Sequence, residues 1–165
     1  MIFLTVGTQL PFERLVKAMD SWCADNPQET VFGQIASVGG DGYKPCNFEW
    51  KEFVEPDEFA RKYEEADVIV AHAGMGSIIS ALTDAKKILV MPRRADLNEH
   101  RNDHQLATAA RFQSRAGIYV IMDETNLAPS LTGLLTEAMP VNAASQFAEA
   151  SLVAAIRDFI HDKPQ

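Results

Sequence analysis

The chain has 165 residues, 47% of them apolar, enough for one domain with a full core on the usual scale of roughly 100 to 200 residues per domain. Fifteen Lys and Arg against twenty-three Asp and Glu leave a formal charge of −8, so nothing draws the whole chain to phosphate backbones, and nucleic acid is not an expected partner. No stretch reaches the about 20 mostly apolar residues of a membrane span. Met1 to Gly7 lacks the basic start and cleavage site of a secretory signal, which predicts a cytoplasmic chain.

Met1 to Val6 is an apolar run closed by Gly7, and Phe12, Leu15, Val16, Met19 and Cys23 then follow the spacing of an amphipathic helix. Pro11 suits its first turn, and Asp25-Asn26-Pro27 supplies its stop. A second strand, Thr30 to Ala36, ends at the turn cluster Gly39 to Gly42, and Phe48 to Val54 reads as a third. Pro56-Asp57-Glu58 opens a helix with acids where the macrodipole favours them, and Phe59 and Tyr63 mark its buried side. Val68 to Val70 is uniformly apolar and β-branched, as expected of a central parallel strand covered on both faces, and Ile88 to Met91 repeats the signature.

Between those two strands the pattern predicts a glycine-bearing turn and a helix with Ile78, Ile79 and Leu82 inward. After Pro92 come a polar loop and a helix from about His100 to Ser114, then a strand, Gly117 to Met122. Leu127, Leu131, Leu134 and Leu135 space out one more helix. Leu152, Val153, Ile156, Phe159 and Ile160 space out a last one, at about 143–162. Strands alternating with helices imply one doubly wound, Rossmann-like α/β domain over the whole chain, with ligands bound at the carboxyl ends of the strands.

The loops at those ends read Gly7-Thr8-Gln9, His72-Ala73-Gly74-Met75-Gly76-Ser77, and Pro92-Arg93-Arg94 through Asp103-His104-Gln105. Glycine lets a phosphate approach the main chain, and helix starts offer free N–H groups; two such turns on one crevice suit a diphosphate. Gly74 and Gly76 also fit a plain strand-to-helix turn at positive φ, and Ser77 a plain N-cap.

His72 beside the glycines adds an imidazole that can donate to a phosphate oxygen or a departing diphosphate. Arg94, with Arg93, is either a cation near that diphosphate or part of a solvated pair. Gln105 can bind adjacent sugar hydroxyls through both ends of its amide, with His104 as a second handle. No GxxxxGK[ST] loop occurs, and Gly74-x-Gly76 meets Ile79 where a dinucleotide fingerprint wants glycine, which weakens an NAD reading. A metal held by His72, His100 and His104 lacks a confirmed third ligand, and Cys23 and Cys46 read as free thiols.

Val6 to Gln9, Ala66 to Ser77, and Val90-Met91-Pro92 leading to Asn102-Asp103-His104-Gln105 together resemble the C-terminal, nucleotide-sugar-binding domain of glycosyltransferase family 28, of the GT-B superfamily. Within it the chain is similar to the short catalytic subunits of two-chain transferases, both bacterial exopolysaccharide subunits and the eukaryotic enzyme of the dolichol-linked precursor. The resemblance implies a UDP-sugar donor held by Gly7, Thr8 and Gln9 and by His72, Gly74, Met75, Gly76 and Ser77. It further implies uracil at the main chain of Phe53 and Val54, and donor-sugar hydroxyls on His104 and Gln105.

Ser80 stands where many relatives carry a ribose-binding glutamate. The implied activity is inverting transfer of a hexosyl unit to a lipid-linked saccharide acceptor, with His72 as the catalytic group and no metal or other cofactor. The implied partner is a membrane-anchored, acceptor-binding subunit that supplies the general base and keeps the chain at the inner face of the membrane. The alternative is a non-catalytic nucleotide-sugar-binding module.

Overall fold

The computed structural model describes residues 1–36 and 42–137; the expected helix at 143–162 and the turn residues Gly39 to Asp41 lie outside the described residues. Six strands form one all-parallel sheet: β1 (Ile2–Thr5), β2 (Val31–Gln34), β3 (Glu49–Lys51), β4 (Val68–His72), β5 (Lys87–Met91) and β6 (Ile118–Val120), in the order β3-β2-β1-β4-β5-β6. In β1 and β4 nearly every residue is buried, because helices cover both faces. Registry places Leu4 beside Val70, and Val70 beside Leu89, across the centre.

Among the described residues five α-helices flank the sheet: α1 (Glu13–Asp25), α2 (Pro56–Glu65), α3 (Met75–Thr83), α4 (His104–Phe112) and, after β6, α5 (Leu127–Thr136). Strand side chains alternate between two cores. Ile2, Leu4, Val68 and Val70 pack with Leu15, Met19 and Trp22 of α1 and Leu127 and Leu131 of α5. Phe3 and Ile69 pack on the other face with Ile78 and Ala81 of α3 and Ala109 of α4. Burying each of the larger aliphatic and Phe side chains contributes about 1.5–3 kcal/mol.

Five expectations change. The third strand is only Glu49–Lys51, not Phe48 to Val54, and the last is Ile118–Val120. Ile79 is 52% exposed, since the inward stripe of α3 is Ile78, Ala81 and Leu82 and a step of 100° turns Ile79 away from it. Pro11 lies outside α1, which starts at Glu13. The fourth helix starts at His104, not His100, because the segment before it closes on itself. Asn98 takes a left-handed φ of 57°, the Glu99 N–H donates to the Arg94 carbonyl, and the Ala95 N–H donates to Asp103 Oδ1.

Candidate functional site

β1 pairs with β2 on one side and β4 on the other, so the winding reverses between β1 and β4, and such a point opens a crevice at the carboxyl ends of the strands. A cavity of about 320 Å³ lies there, lined by Val6 to Leu10, His72, Gly74, Arg93, His100, His104 and Gln105. Both glycine turns thus open on one cavity, and Gly7, Thr8, Gln9, His72, Gly74, His104 and Gln105 come together at it. Gly76 and Ser77 instead line a neighbouring cavity of about 310 Å³ between α2 and α3, with Ser80, Phe59 and Tyr63. Phe53 and Met75 are exposed, and with Val54 and Arg94 they line neither.

The imidazole of His72 fixes the shape of the floor. A Cβ on Gly74 would fall 2.4 Å from His72 Nε2, and one on Gly7 would fall 3.1 Å from His72 Cε1, so the Cε1–Nε2 edge runs between the two glycines. Gly74 has an ordinary φ of −85°, so the ring, and not a positive φ, demands glycine there. Gly7, at φ 79°, is the turn that needs the left-handed region. Burial and then the charge of Arg93 push the His72 pKa down to about 4, against a weaker pull from the Thr5 main chain. Its Nδ1 is buried without a hydrogen-bonding partner. At neutral pH His72 is therefore a neutral donor, not a cation.

Three side chains hold the Gly7 turn, and of these only Arg93 belongs to the loop motifs. Gln34, 2% exposed, donates through Nε2 to the Gly7 carbonyl and accepts the Val54 N–H at 3.0 Å. That N–H, one group of the Phe53 and Val54 main chain expected to meet uracil, is already taken. Thr5 Oγ1 accepts the Gly7 N–H. Arg93 donates to the carbonyls of Val6 at 2.9 Å, Leu10 at 2.7 Å, and Pro11, tying this turn to the loop after β5. The two adjacent arginines therefore divide: Arg93 is buried under the cavity, while Arg94 points outward and pairs with Asp96. A polar residue inside an otherwise buried strand was the available signal for Gln34.

Behind the loop, Arg14 binds Glu99 through two nitrogens at 2.7 and 2.8 Å and also reaches Glu124 and the Pro92 carbonyl. Glu99 in turn accepts the Arg94 N–H at 2.9 Å. Gln105 is 4% exposed, and its Oε1 accepts the Arg93 N–H at 3.0 Å, so one end of the amide is already engaged within the protein. His104 Nδ1 meets Asn102 Oδ1, and its ring lies edge to face with His100 at 4.5 Å. Among the described residues, no group of three or more His, Cys, Asp or Glu side chains is placed to hold a metal ion.

The first turn of α3 carries no side-chain cap. The N–H groups of Met75, Gly76 and Ser77, which have no partners inside the helix, are available to an anion. The parallel Rossmann-like sheet, with a glycine-rimmed cavity at its switch point, is built as the C-terminal domain of GT-B glycosyltransferases is built. Residues 1–160 match the glycosyltransferase family 28 C-terminal domain, and the chain belongs to that family.

Solved structures agree on the fold. The glycotransferase of kitacinnamycin is 21% identical, with a TM-score of 0.62 over 82% of this chain and 35% of its own. MurG of Acinetobacter baumannii is 20% identical, with a TM-score of 0.53 over 81% of this chain and 41% of its own. ALG13 is 20% identical, with a TM-score of 0.59 over 82% of this chain and 85% of its own. The chain thus spans about a third of the length of the kitacinnamycin enzyme but most of ALG13. No curated protein sequence matches it. Among the described residues no helix is long and apolar enough to cross a membrane.

Proposed function

We propose that the chain is the donor-binding, catalytic half of a two-chain hexosyltransferase that moves a sugar from a UDP-sugar to a lipid-linked saccharide in polysaccharide biosynthesis. The observation that carries this reading is the single cavity onto which the turns of Gly7 to Gln9 and Gly74, His72, and the pair His104 and Gln105 converge, in a family 28 domain. The diphosphate sits against the two turns and the start of α3, with Met75, Gly76 and Ser77 supplying N–H donors. The base lies toward Phe53 and Val54, and the donor-sugar hydroxyls lie against His104 and Gln105. Ribose then meets α3 near Ser80, through a hydroxyl in place of a carboxylate.

In the transfer, an acceptor hydroxyl oxygen bonds to the anomeric carbon from the face opposite the diphosphate. The bond from that carbon to the phosphate oxygen breaks, and its electron pair leaves with UDP. The configuration inverts, and the hydroxyl proton passes to a base on the partner chain. Main-chain donors and neutral His72 stabilise the charge that grows on UDP, each already in place before reaction. In this reading a separate, membrane-anchored subunit binds the acceptor and holds this chain at the cytoplasmic face.

The test is transfer from UDP-hexoses to a lipid-linked acceptor by the full chain reconstituted with its membrane subunit. His72→Ala is expected to lower kcat about a hundredfold or more, the scale of losing one oriented donor to developing charge. Unchanged transfer by that variant removes His72 from the chemistry. Tight UDP-sugar binding without transfer in any pairing assigns the chain to the non-catalytic alternative.

A further inference from the structure

We infer that Arg93 supplies the fixed positive charge of the cavity, and that the diphosphate of the ligand is its missing counter-ion. The inference rests on the nucleotide-sugar reading above and adds a residue that reading does not use. Arg93 is 2% exposed and lines the cavity. Its two terminal nitrogens donate to carbonyl oxygens of Val6, Leu10, Pro11 and Glu99, and among the described residues no carboxylate contacts it.

The nearest carboxylate, that of Glu99, is spent elsewhere: two nitrogens of Arg14 and the Arg94 N–H hold it. The side chain of Arg94 is likewise engaged, with Asp96. In a chain of net charge −8, among the described residues no Asp or Glu lines this cavity, and Arg93 is the one Lys or Arg that does. A guanidinium taken out of water and met by carbonyl dipoles and the face of the Phe12 ring at 4.6 Å, with the Glu99 charge acting on it but no ion pair of its own, is costly to keep, and an anion in the adjoining cavity offsets that cost where a neutral ligand cannot. Arg93 is thus a positioning and charge-setting residue: its fork holds the Gly7 to Pro11 turn in shape, and its charge selects what the turn accepts.

Calorimetry on the full chain with UDP, uridine and inorganic pyrophosphate tests this. Arg93→Gln is expected to weaken UDP and pyrophosphate about tenfold to a hundredfold while leaving uridine unchanged, the range for a lost contact to a charged group. Arg93→Lys, which keeps the charge and loses the fork, is expected to retain the preference for UDP over uridine. Arg111→Gln removes an exposed charge on α4 and serves as the matched control.

Equal loss of UDP and uridine in Arg93→Gln reduces Arg93 to a structural staple and overturns the inference. If that variant does not fold, loss of the UDP preference in a folded Arg93→Lys overturns it instead. Wild-type chain that binds UDP no better than uridine defeats the inference and leaves the nucleotide reading standing. Arg93-dependent pyrophosphate binding without UDP binding does the reverse.

Discussion

The Gly7 turn and the Gly74 turn flank the same imidazole, yet they are held in shape by opposite means. Gly7 sits at φ 79° and is fastened by side chains from three strands and loops, namely Thr5, Gln34 and Arg93. Gly74 sits at φ −85° and needs only its own neighbourhood: its N–H donates to the His72 carbonyl and its carbonyl accepts the Ile78 N–H as α3 begins. One turn is a product of tertiary structure, the other of local geometry. Changes to remote residues should therefore disturb the first and spare the second.

The sharpest way to separate them is Arg14→Ala. Arg14 and Glu99 are 11% and 12% exposed, and their bidentate pair anchors the loop whose Arg93 fastens the Gly7 turn. Losing one partner of a buried pair costs about 3–5 kcal/mol. The lower end, about 3 kcal/mol, is expected here because Glu124, the other carboxylate on Arg14, is 43% exposed and returns to water cheaply. Urea unfolding should show that loss, and amide exchange should rise at Gly7, whose N–H donates to Thr5 Oγ1, before it rises at Gly74, whose N–H donates to the His72 carbonyl. Equal rises at both turns would erase the distinction.

This contrast also explains what could be read from the sequence. Apolar runs and helical spacing located β1, β4, β5 and α1 because burial on both faces writes a pattern into consecutive residues. His72 and the glycines were legible because a strand end, a ring and small residues are adjacent in the chain. The roles of Gln34 and Glu99 were not, since their partners lie 27 and 85 residues away; Gln34 stands out only as a polar residue at the end of a buried strand, and Glu99 by no local rule. Arg93 and Arg94 show the same limit: two adjacent arginines of equal local merit, of which packing turned one inward and the other to Asp96.

The next effect belongs to the ring that both turns share. Folded His72 takes up a proton only near pH 4, whereas an unfolded histidine does so near its ordinary 6.5. Between those values the unfolded chain binds the extra proton, so this contribution to stability is complete above about pH 6.5 and falls as pH drops. From pH 7 to 5 the expected loss is about 2 kcal/mol, flattening below pH 4. His72→Gln removes the titration, so the difference between wild type and variant across that range isolates it from the acidic side chains. Parallel pH profiles would contradict the burial of His72.

The smallest effects lie within the second turn itself, at its two glycines. A methyl on Gly74 would sit 2.4 Å from His72 Nε2, and the buried ring has to move, so Gly74→Ala is expected to destabilise by about 1–2 kcal/mol. At Gly76 nothing lies within 4 Å of the added carbon, and the position is helical. Gly76→Ala should therefore stabilise the free protein by a few tenths of a kcal/mol up to about 1, through the lower entropy of the unfolded chain. A phosphate approaching that N–H leaves no room for a methyl, so the same variant should bind UDP more weakly even as its Tm rises. A higher Tm with unchanged UDP affinity would place the nucleotide away from the start of α3 and leave Gly74 as the one glycine in this turn with a demonstrable task.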